Sequence, residues 1–336
     1  MRGLIQGRFW WSADRYVTVK INAIDLERKI AESELDIMQH ISRSRLWPEG
    51  RHFVRSLLDS FRLQTAHGEH ICLVFEPLRE PLWILMRRFE DEVLPPQLIK
   101  IMLQMLLHAL DFLHSDCHVI HADLKPDNVM VRLEDKSLLH KSALDEMKDP
   151  APQKQCHDRT IYLSRNNFGH PGKITGIVSI TDFGYAVRGD VPQHGPIQIE
   201  LWDLMEGDSL FRAAKPMESK YDDEKHLAYI TALLGPPPAD LLARGRRTSM
   251  FCDQQGEPLR DNFSLKRGIF TCDTGKLNNP DLIPQDFSFQ NSVNKVDGED
   301  KKMFLTFVRR MLKWQPAERS TAKELLDDPW LGERPK

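Results

Sequence analysis

The stretch His121-Ala122-Asp123-Leu124-Lys125-Pro126-Asp127-Asn128 packs several reactive side-chain types into one loop. Asp123 and Asn128 stand on either side of Lys125, and Pro126 stiffens the chain between them. Phosphoryl transfer requires such a set: a carboxylate to orient an attacking hydroxyl, a cation for the terminal phosphate and an amide oxygen for a metal ion. Further on, Asp182-Phe183-Gly184 ends an apolar, strand-like run and offers a second metal-binding carboxylate. A polar hairpin loop is the plain reading of the first stretch. The order of strand, loop, strand and then Asp-Phe-Gly argues against it. Phe183 by itself would be an ordinary core aromatic.

Several elements must position these groups. The segment RYVTVKINAI, residues 15–24, is β-rich and places Lys20 on a strand. LERKIAESELDIMQHI has helical spacing, with Ile30, Ile37, Met38 and Ile41 near one face. HICLVFEPL reads as a buried strand ended by Pro77. Pro95 and Pro96 suit the start of a long helix over LIKIMLQMLLHALDFLH, too apolar for a surface helix. Residues 133–173 are polar and read as an insertion. From Ile199 onward the chain reads as helices and loops.

Bulk properties narrow the classes. The length, 336 residues, is enough for two lobes, and the net charge of −3 gives no case for a nucleic-acid or membrane-surface binder. No apolar run reads as long enough to span a bilayer, and the N-terminus has no signal-peptide pattern. Cys72, Cys117, Cys156, Cys252 and Cys272 are far apart, which points to reduced thiols.

HADLKPDN and DFG together resemble the catalytic loop and metal motif of the eukaryotic protein kinases. The resemblance implies an α+β, bilobal fold: an N-lobe over residues 1–77 and a C-lobe over 78–336, divided near Pro77 to Leu82. It implies ATP and Mg²⁺ as cofactors. Asp123 resembles the catalytic Asp, Lys125 the γ-phosphate Lys of serine/threonine kinases, and Asn128 and Asp182 the Mg²⁺ ligands. VTVK resembles the strand whose Lys, here Lys20, holds the α/β-phosphates. A lone strand Lys is usually just solvated; the helix that follows gives this one weight. Glu34 is its expected partner, with Glu27 and Glu32 as competitors. Thr18 stands where the family has Ala against adenine, and Phe75 falls at the gatekeeper position. Glu76, Leu78 and Met130 are the implied adenine contacts. MLKWQPAERSTAKELLDDPW resembles the closing helices of the large lobe, with Arg319 as their buried Arg.

Ala122 replaces the Arg that in this family meets a phosphate on the activation loop. That substitution, and segments such as KYDDEKHLAYITALLGPPPADLLARG, resemble the SR-protein kinases, and the 133–173 segment resembles the short spacer of their fungal members. The resemblance implies a monomer in cytoplasm and nucleus that phosphorylates Arg/Ser-rich splicing factors, with no direct contact to nucleic acid or membrane. The acidic run Asp222-Asp223-Glu224 either attracts such substrates or simply starts a helix.

The sequence also departs from the pattern. Gly-x-Gly-x-x-Gly is absent; Gly3 or Gly7 reads as its last position, with RFWWSAD as a shortened strand. No Ala-Pro-Glu occurs, and LWDLMEG matches the middle of the helix that should follow it. Roughly thirty residues of the family pattern are missing after about residue 190, where helix connections usually run about 2–8 residues. In the family, the missing Glu pairs with the counterpart of Arg319. Three rivals to an active kinase follow: a kinase-derived scaffold, a truncated gene model, and a small-molecule phosphotransferase, which Lys125-Pro126 and the closing helices oppose.

Overall fold

The computed structural model describes residues 2–7, 15–23, 28–44, 48–156, 160–163, 176–189, 198–199, 206, 210–211, 222–245, 247–252 and 277–332. These form two compact units, Met1–Met205 and Glu206–Lys336. The connector near Pro77 to Leu82 lies inside the first unit.

The first unit begins with an antiparallel four-stranded sheet in the order β1-β2-β4-β3. Its strands are β1 (Arg2–Gly7), β2 (Arg15–Ile21), β3 (Leu57–Thr65) and β4 (Gly68–Phe75). Gly3 and Gly7 stand within β1, opposite Val19 and Arg15, so neither ends a glycine-rich loop. RFWWSAD lies outside the described residues. Helix α1 (Arg28–Arg43) buries Ala31, Glu34, Ile37, Met38 and Ile41. Ile30, expected on this face, is 38% exposed. One turn away, Glu34 takes the inward position because it has a cation to meet there.

After the short helix α2 (Leu82–Met86), helix α3 (Pro96–Asp111) starts with Pro96 in its first turn, as expected. It buries Ile99, Met102, Leu103, Leu106 and Leu107 and runs into a π-helical turn at Phe112–Asp116. The stretch Glu90–Asp116 is long and apolar enough to cross a membrane by composition, which corrects the expectation that no run reaches that length. The buried side chains of α3 are those of a core helix.

The strands around the polar loop are short: β5 (Val119–Ile120), β6 (Asp123–Leu124) and β7 (Val129–Val131). In the 133–173 segment, helix α4 (Ser137–Lys148) precedes a hairpin of β8 (Gln153–Gln155) and β9 (Thr160–Tyr162). His140 of α4 hydrogen-bonds the Tyr16 hydroxyl of β2 at 3.1 Å. Strand β10 (Val178–Ile180) pairs with β7, β11 (Val187–Arg188) with β5, and β12 (Gln198–Ile199) in parallel with β6. The expected helical character from Ile199 onward therefore begins with a strand. LWDLM, residues 201–205, lies outside the described residues.

The second unit holds α5 (Asp223–Leu234), α6 (Ala239–Arg244), α7 (Thr248–Phe251), α8 (Phe289–Ser292), α9 (Gly298–Met311) and α10 (Ala322–Leu326). Trp330 is buried against Phe304 and Phe307, with ring centroids 5.0 and 5.1 Å away. Asp222 is the N-cap of α5, accepting from the N–H groups of Glu224 and Lys225 at 3.0 Å each. Asp223 pairs with Arg247, and Glu224 accepts from Asn279. The acidic run is thus a helix start with local partners. Arg319, expected to be buried, is exposed and donates to the Lys313 and Trp314 carbonyls at 2.9 and 3.4 Å. Among the described residues it meets no carboxylate, so nothing draws its guanidinium inward.

Gly50 carries the turn that locks onto α3: a Cβ there would lie 1.9 Å from the His108 carbonyl oxygen. Gly50→Ala should therefore destabilise the chain by about 3 kcal/mol, because backbone must move to admit a methyl group. Urea unfolding reads this directly, and an unchanged midpoint would mean that the turn is free to shift.

Candidate active site

Lys20 is the meeting point of three elements. Its ammonium from β2 donates to both carboxylate oxygens of Glu34 on α1, each at 2.7 Å. It also donates to Asp182 Oδ1 at 2.9 Å. Glu34 is 2% exposed, so the ion pair is largely withdrawn from water. Glu32 is exposed and Glu27 lies outside the described residues, so Glu34 is the observed partner. Asp182 holds φ 66°, in the left-handed region, directly before the turn Phe183–Tyr185 on which α1 packs.

The polar loop is equally tied down. Asn128 Nδ2 donates to the Asp123 carbonyl and to Asp123 Oδ2, both at 2.8 Å. Lys125 donates to Asp123 Oδ1 at 3.0 Å. The Asp123 carboxylate is therefore fixed in direction by an amide and an ammonium. His121 supports it from behind. Its Nε2 faces the Thr181 carbonyl at 3.0 Å, and its Nδ1 accepts from the Asp123 N–H at 3.3 Å. A carbonyl only accepts, so the proton sits on Nε2. Burial holds the His121 pKa below its ordinary value, which keeps the ring neutral for these two roles. Its edge meets the ring of Phe183 at a centroid distance of 4.9 Å. Between His121 and Asp123, Ala122 holds φ 62°.

Nucleotide and metal would find fitting groups. The Asn128 amide nitrogen is engaged, while its Oδ1 has no hydrogen bond among the described residues. Together with the Asp182 carboxylate this makes an all-oxygen pair, suited to a hard cation that takes its other ligands from phosphate and water. Among the described residues no three His, Cys, Asp or Glu side chains form a metal cluster of their own. Thr18 of β2 and Phe75 of β4 are direct cross-strand partners. Leu78 keeps both its backbone N–H and C=O without a hydrogen bond among the described residues, so both can meet a heterocycle edge. Glu76 is exposed and its carbonyl already accepts from Arg55 at 3.2 Å, leaving one lone pair. Met130 lies on β7, opposite Ser179 of β10.

Two supports escaped the sequence reading. Arg55 stacks its guanidinium over Phe75 at 4.3 Å and donates its backbone N–H to the Ile180 carbonyl, joining the connector to β10. Beyond the connector, Glu80 sits between Arg79 at 3.1 Å and Arg88 at 2.9 Å, and Arg79 reaches Glu134 at 2.5 Å. Burial raises the Glu80 pKa despite both arginines. A single sequence carries no local signal for either, because the partners are far apart along the chain.

The comparisons agree with this geometry. The protein kinase domain model matches residues 13–331. A serine/threonine protein kinase of Aspergillus fumigatus is 31% identical over 352 residues, covering 96% of this chain and 80% of that protein. The serine/threonine-protein kinase SRPK of Physarum polycephalum is 28% identical, covering 92% of this chain and 77% of its own. Protein kinase dsk1 of Schizosaccharomyces pombe is 32% identical over 48% of this chain and 29% of its own.

Removing the cation of the buried pair should be costly in itself. Lys20→Met leaves the Glu34 carboxylate without its ammonium and should destabilise the chain by about 3 kcal/mol. Adding Glu34→Leu should recover most of that loss. Denaturant titrations of the two variants test the pair, and equal stability of single and double variants would show that Glu34 is held by other groups.

Proposed function

Because the chain belongs to the protein kinase family, as a serine/threonine kinase related to the SR-protein kinases, we propose that it transfers the γ-phosphoryl group of Mg²⁺-bound ATP to serine in Arg/Ser-rich proteins of mRNA splicing. The observation that carries the reading is the Lys20–Glu34–Asp182 cluster standing in one unit with the Asp123–Lys125–Asn128 loop. Lys20, steadied by Glu34, holds the α- and β-phosphates. Asp123, aimed by Asn128, accepts the proton of the attacking hydroxyl. Lys125 stands against the charge that gathers on the transferred group. Asn128 and Asp182 would hold Mg²⁺, which when bound would neutralise charge on the phosphate oxygens. The backbone groups of Leu78 and the remaining lone pair of the Glu76 carbonyl would hold the adenine edge, with Met130 as a further contact. The SR-kinase relationship supports the choice of substrate; the acidic run at Asp222 does not, being engaged as a helix cap. That the chain works as a monomer in cytoplasm and nucleus is part of the proposal and rests on the family resemblance alone.

A second reading concerns output rather than chemistry. The alignment with the A. fumigatus kinase runs over 352 residues, more than the 336 of this chain, so that relative carries residues for which this chain has no counterpart. Strand β12, beginning just past residues 190–197, lies along the strand of Asp123 itself. These observations favour a site with its reactive groups in place and a reduced platform for peptide. Positioning of the hydroxyl supplies about 7–11 kcal/mol of such a barrier, so its loss leaves only a trace of transfer.

Two measurements follow. Mg²⁺-ATP should raise the melting temperature of the chain, and Asp182→Ala should abolish the part of the shift that needs Mg²⁺; an unaltered shift would remove Asp182 from the metal site. Phosphoryl transfer from ³²P-labelled ATP to an Arg/Ser peptide should be at most a trace. Insertion of a family activation segment between Asp190 and Ile199 should raise it by orders of magnitude, with Arg/Ser favoured over acidic peptides. Asp123→Ala in the inserted form should silence it. Full activity in the unmodified chain would refute the reduced platform, and activity surviving Asp123→Ala would refute the catalytic assignment.

A further inference from the structure

His40 lies in the last turns of α1, on a different face from Glu34, and it is held on both sides. Its Nε2 is 2.8 Å from the Cys117 carbonyl oxygen, and its Nδ1 is 3.2 Å from Arg188 Nη1. A carbonyl can only accept and a guanidinium can only donate, so these partners fix one neutral tautomer with the proton on Nε2. Both partners belong to one small patch of backbone. Arg188 is the Cα partner of Val119 in the β11–β5 pair, and the Gly189 N–H donates to the His118 carbonyl at 2.6 Å. Strand β5 leads straight into His121 and Asp123, and β11 follows Asp182 by a single turn. Just beyond His40, Arg51 donates to the carbonyls of Ser42 and Ser44 and closes the helix end.

We propose that His40 is a positioning residue: it bolts helix α1 to the β5–β11 pair, so that Glu34 stays on Lys20 while the catalytic loop keeps its place. The ion pair gives α1 one directional contact. Its buried Ala31, Ile37, Met38 and Ile41 pack without direction, so they do not by themselves fix the last turns of the helix against the catalytic loop. The imidazole of His40, further along the helix than Glu34, supplies a second directional point. A histidine suits the task because it presents an acceptor and a donor on opposite sides of a rigid ring. The proposal rests on the nucleotide-binding reading for its functional consequence and on geometry alone for the bolt.

The test uses the full chain with His40→Ala and His40→Gln, each alone and with Lys20→Met. Two quantities are read: amide hydrogen exchange of residues 34–43, and the dissociation constant for Mg²⁺-ATP. In His40→Ala, exchange in that segment should be about tenfold faster and ATP binding about tenfold weaker, as expected for loss of a hydrogen-bonded link of ordinary strength. His40→Gln keeps an amide donor and an acceptor and should stay near the native chain in both. In the Lys20→Met background, His40→Ala should weaken ATP binding no further, since His40 acts through Lys20 and Glu34. Unchanged exchange in His40→Ala overturns the proposal. So does equal damage from Ala and Gln, or an ATP-binding loss that persists in full without Lys20. If no form of the chain binds ATP, the kinase reading fails while the exchange measurement still decides the bolt.

Discussion

One ammonium group serving two carboxylates is the interaction on which the rest of the structure depends. Glu34 is almost wholly removed from water, and an isolated buried carboxylate is strongly disfavoured. The fold must therefore bring Lys20 to it, and that demand sets the relation of β2 to α1. Asp182 then draws on the same ammonium, which sets the place of the turn after β10. Because the attraction is strong only over a few ångströms, small displacements of any of the three elements matter.

The loop around Asp123 solves a different problem with backbone. Its carboxylate needs a direction, and Asn128 and Lys125 give it one. To point Asp123 there, Ala122 takes a left-handed conformation that L-residues disfavour, and Asp182 does the same at the metal side. Each such residue stores about 1–3 kcal/mol of strain, which the surrounding hydrogen bonds hold in place. The His121 bridge to Thr181 joins the two strained points, so neither can relax alone.

Much of this was legible in the sequence because the groups that do chemistry come in short, ordered runs. Asp123, Lys125, Asn128 and Asp182 are marked by neighbours within a few residues, and Lys20 by its β-branched strand. The pairing of Thr18 with Phe75 was not read from the sequence; it shows only in the strand register. What was not legible depends on partners distant in sequence. Ile30 follows the apolar period yet is 38% exposed, because it stands in the first turn of α1, where less chain covers it. Arg319 is exposed because its local partners are carbonyls at the surface. Gly3 and Gly7 were read as loop residues, but strand pairing decides their state, and pairing is a property of two segments. Arg55 and Glu80 carry no signal at all in a single sequence.

The sequence separations within the site have a consequence for how the molecule comes together. Lys20 and Glu34 are 14 residues apart, and Asp123 and Asn128 only 5, so each half can form early from nearby chain. The bond from Lys20 to Asp182 spans 162 residues. Contacts of that reach come late, since the intervening chain must be ordered before they can close. During synthesis the small sheet therefore waits, with Lys20 lacking its second carboxylate, until the turn after β10 that bears Asp182 has emerged. The same asymmetry operates in reverse in the finished protein. A fluctuation that parts Lys20 from Asp182 leaves both local clusters standing, so the site can open along this seam without the unit unfolding.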